Sequence, residues 1–160
     1  MIGARFRLDL RTAAALIAGS FAFVAIAAFV PATARAAGTA RIQQADGSVN
    51  VYRDVKVQVV QKTLSVTSAD GKGTMIIYRA ACSYQGEILM CLPTGVSLVQ
   101  GGGVSPIKLR SGTVYLNLTG EAHNLVLSST KLPAHSVTMA LNTQRGTYIT
   151  INGAIDKETK

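Results

Sequence analysis

Cys82 and Cys91 are the only cysteines in the 160-residue chain, and they bracket the stretch "CSYQGEILMC". Such a pair can act as a reactive thiol site, contribute metal ligands, or form a structural disulfide. Metal binding would need help from His123 and His135, the two histidines. Neither the close cysteine spacing of zinc sites nor His-Glu-x-x-His occurs, so no metal site is expected. A cysteine nucleophile paired with a histidine would require a free thiol. No Gly-x-Ser-x-Gly is present for a serine nucleophile. The carboxylates beyond residue 36 are Asp46, Asp54, Asp70, Glu87, Glu121, Asp156 and Glu158. Several sit in evident turns, and none is singled out as half of an acid/base pair. The glycine run at 101–103 lacks the Gly-Lys-Ser/Thr ending of a phosphate loop. The chain is therefore expected to be no enzyme, with no catalytic residue and no cofactor.

A hairpin accounts for the cysteines. A two-residue turn at Gly86-Glu87, with glycine first as a type II′ turn prefers, pairs Gln85 with Ile88. Tyr84 then faces Leu89, Ser83 faces Met90, and Cys82 faces Cys91. Alternation makes the last of these a non-hydrogen-bonded pair, with Cα atoms ~4.5 Å apart. A disulfide accepts ~4.4–6.8 Å. The expectation is a Cys82–Cys91 staple.

The elements around this hairpin read as strands. "VNVYRDVKVQV" sets Val49, Val51, Val55, Val57 and Val59 on one parity. Asn50, Tyr52, Asp54, Lys56 and Gln58 take the other, so the valines are expected inside. "TLSVTS" continues with Leu64 and Val66, and "ADGKG" is a turn. "TMIIYRAACSY", "EILMCL", "VSLV" and "IKLR" are further runs, and "QGGGVSP" reads as a loop. "GTVYLNLTG" is expected to bury Val114, Leu116 and Leu118 and to expose Tyr115, Asn117 and Thr119. "SVTMALNT" buries Val137, Met139 and Leu141, and "GTYITING" buries Ile149 and Ile151. "GTARIQQADGS" reads as a loose or short strand and "DKETK" as a frayed end. Gly-Thr starts at Gly73, Gly112 and Gly146 suggest an internal echo. No segment beyond residue 36 sustains a helical period. The pattern predicts one all-β domain over 37–160, a single antiparallel β-sandwich or jelly-roll-like fold.

Residues 12–30 contain no charge, follow Arg5, Arg7 and Arg11, and precede "PATARAAG". A basic start, an apolar stretch and small residues at Ala34 and Ala36 describe a signal peptide over 1–36, cut before Ala37. An uncleaved anchor is the alternative, because 19 uncharged residues reach the ~17–25 of a membrane span. Either way the protein is expected in a bacterial periplasm or outside the cell, with membrane contact only through that segment. Such compartments permit disulfides. Asn117-Leu118-Thr119 matches a glycosylation sequon, but bacterial export implies no glycan.

The whole chain carries 16 basic and 8 acidic residues. Beyond residue 36 there are 12 and 7, a mild excess that suits an anionic lipid, glycolipid or envelope polymer. The basic residues are scattered, so nucleic acid is not an expected partner. Tyr52 and Tyr115, on the wet parity of their strands, are candidate ligand or partner contacts, as are Lys56 and Arg110.

"VNVYRDVKVQV", "GTVYLNLTG" and "GTYITING" make the chain similar to the periplasmic β-jelly-roll proteins of lipopolysaccharide transport. That resemblance implies an open roll whose apolar interior carries acyl chains and whose edge strands join neighbouring proteins. The expectation is an exported binding or scaffold protein. A purely structural envelope protein pairing through edge strands is one alternative, and a small secreted hydrolase or enzyme inhibitor is the other.

Overall fold

Period-two patterning and repeated turn residues yield eleven strands and no helix among the described residues of the computed structural model. Those residues are 37–126 and 128–159, with side chains described only to Asp156 at the C-terminal end. The proposed signal segment, with Ala34 and Ala36, lies outside them. Ala37 is exposed just ahead of the first strand.

The strands are β1 (Gly38–Gln43), β2 (Val49–Val60), β3 (Thr63–Thr67), β4 (Gly73–Gln85), β5 (Ile88–Gln100) and β6 (Gly103–Ile107). They continue with β7 (Leu109–Asn117), β8 (His123–Asn124), β9 (Lys131–Leu132), β10 (Ser136–Thr143) and β11 (Tyr148–Thr159). The large sheet has the order β4-β3-β2-β1-β11-β10-β7-β5-β6, and β4 also pairs with β5. The pairings therefore run in a closed circuit of eight strands, with β6 attached to β5. All are antiparallel except the pairing of β2 with the end of β11. β8 and β9 form a separate two-stranded flap.

One apolar core fills the ring. Val57, Leu64, Ile77, Val114, Leu116, Leu141 and Ile151 have no solvent exposure. Most were expected inside from parity alone. The Cys82–Cys91 disulfide is present, with Cα atoms 4.1 Å apart. All four expected pairs of its hairpin occur, and Gly86 turns with φ 63°.

Single inserted residues correct the sequence reading elsewhere. Asp54 (φ 56°) is skipped between the pairs Gly38–Val55 and Thr39–Arg53. An extra residue reverses which face every residue beyond it occupies. Val49 and Val51 were expected inside; they face outward and are 41% and 53% exposed. Tyr52, expected to be exposed, is 45% exposed, but it pairs with Ala40 and so stands on the groove side of β2 and not on its outer face. Ala81 and Thr94 are skipped in the β4–β5 pairing in the same way. They let both strands bend, so "EILMCL" and "VSLV" join into the single strand β5.

Three segments are more ordered than their composition suggested. "QGGGVSP" is a Gly101-Gly102 turn and the edge strand β6. "GTARIQ" is β1, an interior strand between β2 and β11. "DKET" is not frayed: it extends β11 alongside β2. Asp156 directs this pairing, because its Oδ2 accepts a hydrogen bond from the Val57 N–H at 2.7 Å. The three Gly-Thr starts occupy different places: a strand start at Gly73, a strand interior at Gly112 and a turn at Gly146.

Candidate functional site

A cavity lies beside the reversal at Asp54. It opens between β1 and the first half of β2 on one side, and β3, β4 and the end of β5 on the other. Its volume is ≈ 530 Å³. The floor is apolar: Ala40, Val55, Val66, Met75 and Ile151 all line it and are buried. Ile42, Leu98 and Tyr52 form walls, and Arg53, Asp70 and Lys72 stand at the mouth. Val51 borders the space from its edge, and strict alternation would have turned Val51 and Val49 into it.

The mouth is shaped by the Ser68–Gly73 turn. Asp70 accepts hydrogen bonds from Ser68 Oγ at 2.6 Å and from the Lys72 N–H at 3.1 Å. The Ser68 hydroxyl first, then the Lys72 amide, hold its carboxyl below the ordinary carboxylate value. Ser68 Oγ also receives the Gly73 N–H at 3.0 Å. Asp70 is thus engaged by its own turn, while Arg53 and Lys72 give the mouth a cationic excess.

The candidate contacts named from sequence do not converge. Tyr52 lines the groove. Lys56 is exposed on the outer surface of β2, past the reversal, opposite Thr67. Arg110 is exposed at the start of β7. Tyr115 is half-buried on the outer surface of β7, beside a shallow depression of ≈ 160 Å³. Among the described residues no group of three His, Cys, Asp or Glu could hold a metal ion. His123 Nε2 lies 2.9 Å from Thr119 Oγ1, and the His135 backbone ties the flap to Thr119 and Ile155.

Asn117 was expected to be exposed and has no exposure. Leu116 pairs with Leu89 on the core face, so alternation places Asn117 outward. The 118–135 excursion then folds back over it. Asn117 Nδ2 donates to the carbonyls of Glu121 (2.7 Å), Leu132 (3.1 Å) and Pro133 (2.9 Å). Its Oδ1 accepts from the Thr119 N–H at 3.0 Å and from Thr119 Oγ1 at 2.8 Å. The amide is saturated by structure.

The groove residues Ile42, Met75 and Leu98 went unmarked from sequence, because an apolar side chain at a cavity looks the same as one in a core. The one available signal was Asp54, an acid in the middle of a valine strand. No protein-family model, curated protein or solved structure matches the chain.

Proposed function

We propose that this is an exported, non-enzymatic binding protein of the cell envelope that holds the apolar chain of an anionic amphiphile in the Asp54 groove. One observation carries the reading: a cavity of ≈ 530 Å³ with an apolar floor and cations at its mouth. The volume falls within the ~300–1,000 Å³ of small-molecule sites. Apolar burial supplies a non-directional driving force for a chain. Arg53 and Lys72 suit a phosphate or carboxylate head. The likeness to lipopolysaccharide-transport proteins agrees with a glycolipid as the natural cargo. The disulfide agrees with an oxidising compartment.

The test is fluorescence titration with cis-parinarate, an 18-carbon carboxylate. Wild-type protein should bind it. Ala69→Trp, which places an indole at the mouth, should weaken binding at least tenfold. Arg53→Glu with Lys72→Glu should weaken it about tenfold, as expected from removing two partly screened charge contacts. Absence of binding by the wild type, or unchanged binding by Ala69→Trp, rules the groove out.

A second reading, a structural protein pairing through an edge strand, rests on β6. Among the described residues it pairs only with β5, its other edge is unpaired, and Val104 is 65% exposed. Pro106 interrupts that edge and limits what it can pair with.

A further inference from the structure

The outer face of β2, β1, β11, β10 and β7 differs in character from the groove. Cross-strand pairing fixes its rows. One row reads Val51, Arg41, Thr150, Ala140, Thr113, and the next reads Arg53, Thr39, Asn152, Thr138, Tyr115. No outward position in either row carries a carboxylate. The only charges are Arg41 and Arg53. Ala140 sits at the centre, and its short side chain leaves the ≈ 160 Å³ depression. Thr113 and Thr150 flank Ala140 across the strands, while Thr138, Tyr115 and Asn152 close one end.

The rim has unspent hydrogen-bonding capacity. Thr138 Oγ1 donates to Asn152 Oδ1, which leaves the Asn152 Nδ2 hydrogens available. The hydroxyls of Thr113, Tyr115 and Thr150 have no partner among the described residues. Hydroxyls around an apolar floor with an aromatic ring at one end suit a pyranose. Its C–H face packs on tyrosine and alanine while its hydroxyls meet threonine and asparagine. Arg41 lies directly across the ladder from Thr150, within the ~4.5–5.5 Å of facing Cα atoms. It makes no ion pair with any described residue.

We propose that this depression is a second site, which binds an acidic glycan: one sugar ring lies over Ala140 against Tyr115, and its anionic substituent meets Arg41. The site does not depend on the groove being a lipid site. The two surfaces meet at Val51 and Arg53, which also border the groove, while the depression itself is lined by other residues.

The experiment uses protein purified after expression of the full chain, titrated with a mannuronate hexamer, maltohexaose and polyglutamate. The readouts are amide chemical shifts and calorimetric affinity. The acidic hexamer should bind and shift the amides of Thr113, Tyr115, Ala140 and Thr150. It should bind at least fivefold tighter than maltohexaose. Tyr115→Ala and Ala140→Leu should each reduce affinity at least tenfold with an unchanged melting temperature. Arg41→Gln should abolish the preference for the acidic sugar and leave maltohexaose binding as it was. Three results overturn the proposal: no binding of the hexamer, shifts confined to another surface, or wild-type affinity in Ala140→Leu. Polyglutamate binding as tightly as the hexamer overturns it as well, because charge alone would then explain the contact.

Discussion

Gly153 stands where β1 begins and where β11 leaves β1 to pair with β2. A Cβ built there would lie 2.4 Å from the Gly38 Cα, and one built at Gly38 would lie 2.4 Å from the Val55 carbonyl oxygen. Both obstacles are backbone, so no rotamer change relieves them. Carbon atoms prefer ~3.5–4.0 Å. Gly153→Ala must therefore push the strands apart by about 1 Å. A ladder hydrogen bond near ~2.9 Å does not survive that stretch. Losing two such bonds at ~1 kcal/mol each, with an overpacking cost of ~1–3 kcal/mol, gives a destabilisation of about 4 kcal/mol. That is a large part of the ~5–15 kcal/mol typical of a domain. Urea unfolding followed by circular dichroism measures it. Gly120→Ala is the control, since a Cβ there meets nothing within 4 Å and φ is not positive. It should be neutral. Gly112→Ala should fall between, because its obstacles at 2.8 and 2.9 Å are the side chains of Leu141 and Pro93. A Gly153→Ala protein within ~0.5 kcal/mol of wild type would refute the close-approach argument, since that is the scatter of ordinary surface substitutions.

Alkylation of the unfolded protein without reductant should leave its mass unchanged, and the Cys82→Ala/Cys91→Ala double variant should lose about 2–3 kcal/mol in urea unfolding, the low end expected for so short a loop. Two labelled thiols would contradict the disulfide. Asn117→Ala strips a donor from three carbonyls and should cost about 3 kcal/mol, with loss of amide-exchange protection confined first to 118–135; uniform loss across the sheet would contradict a flap-fixing role. Asp70 should titrate below 3.8 by carbon-13 shift of its carboxyl, since the Ser68 hydroxyl and the Lys72 amide favour its ionised form. The turn's contribution to stability is then present above the unfolded-state value of ~3.9 and is lost as pH falls through the lower folded-state value. Asp70→Asn should flatten that acid limb, and an unchanged limb would show that the turn contributes nothing.

The strand core was legible wherever alternation runs unbroken. Val57, Leu64, Val66, Val114, Leu116, Val137, Met139, Leu141, Ile149 and Ile151 were all placed inside and are buried. The cysteine hairpin was legible because a two-residue turn fixes every pair after it. What escaped is non-local. Asn117 is buried by a flap whose path no period of two encodes, and its five hydrogen bonds reach as far as Pro133. The order of "DKET" comes from a partner strand about a hundred residues away, anchored by the Asp156 carboxylate on the Val57 amide. "QGGGVSP" looks like a loop by composition, yet only Gly101 and Gly102 form the turn, and β5 templates the strand that starts at Gly103.

The misread strand and the groove have one cause. Without the extra residue at Asp54, Val49 and Val51 would point into the ring and Tyr52 out of it. The cavity would then hold valine side chains, and the outer face would gain a tyrosine. With it, two valines are left about half exposed, which forgoes roughly 1–2 kcal/mol of apolar burial. A left-handed φ at a non-glycine residue adds a further cost of order 1 kcal/mol. The reversal lies where β2 exchanges β1 for the end of β11 as its partner, so these costs are offset either by that exchange or by the groove. Local rules broken without a stabilising return tend to mark functional sites. Deleting Asp54 separates the two accounts. If the insertion serves only the fold, its removal destabilises the protein. If it serves the groove, the variant regains burial, stays at least as stable as wild type and loses cis-parinarate binding.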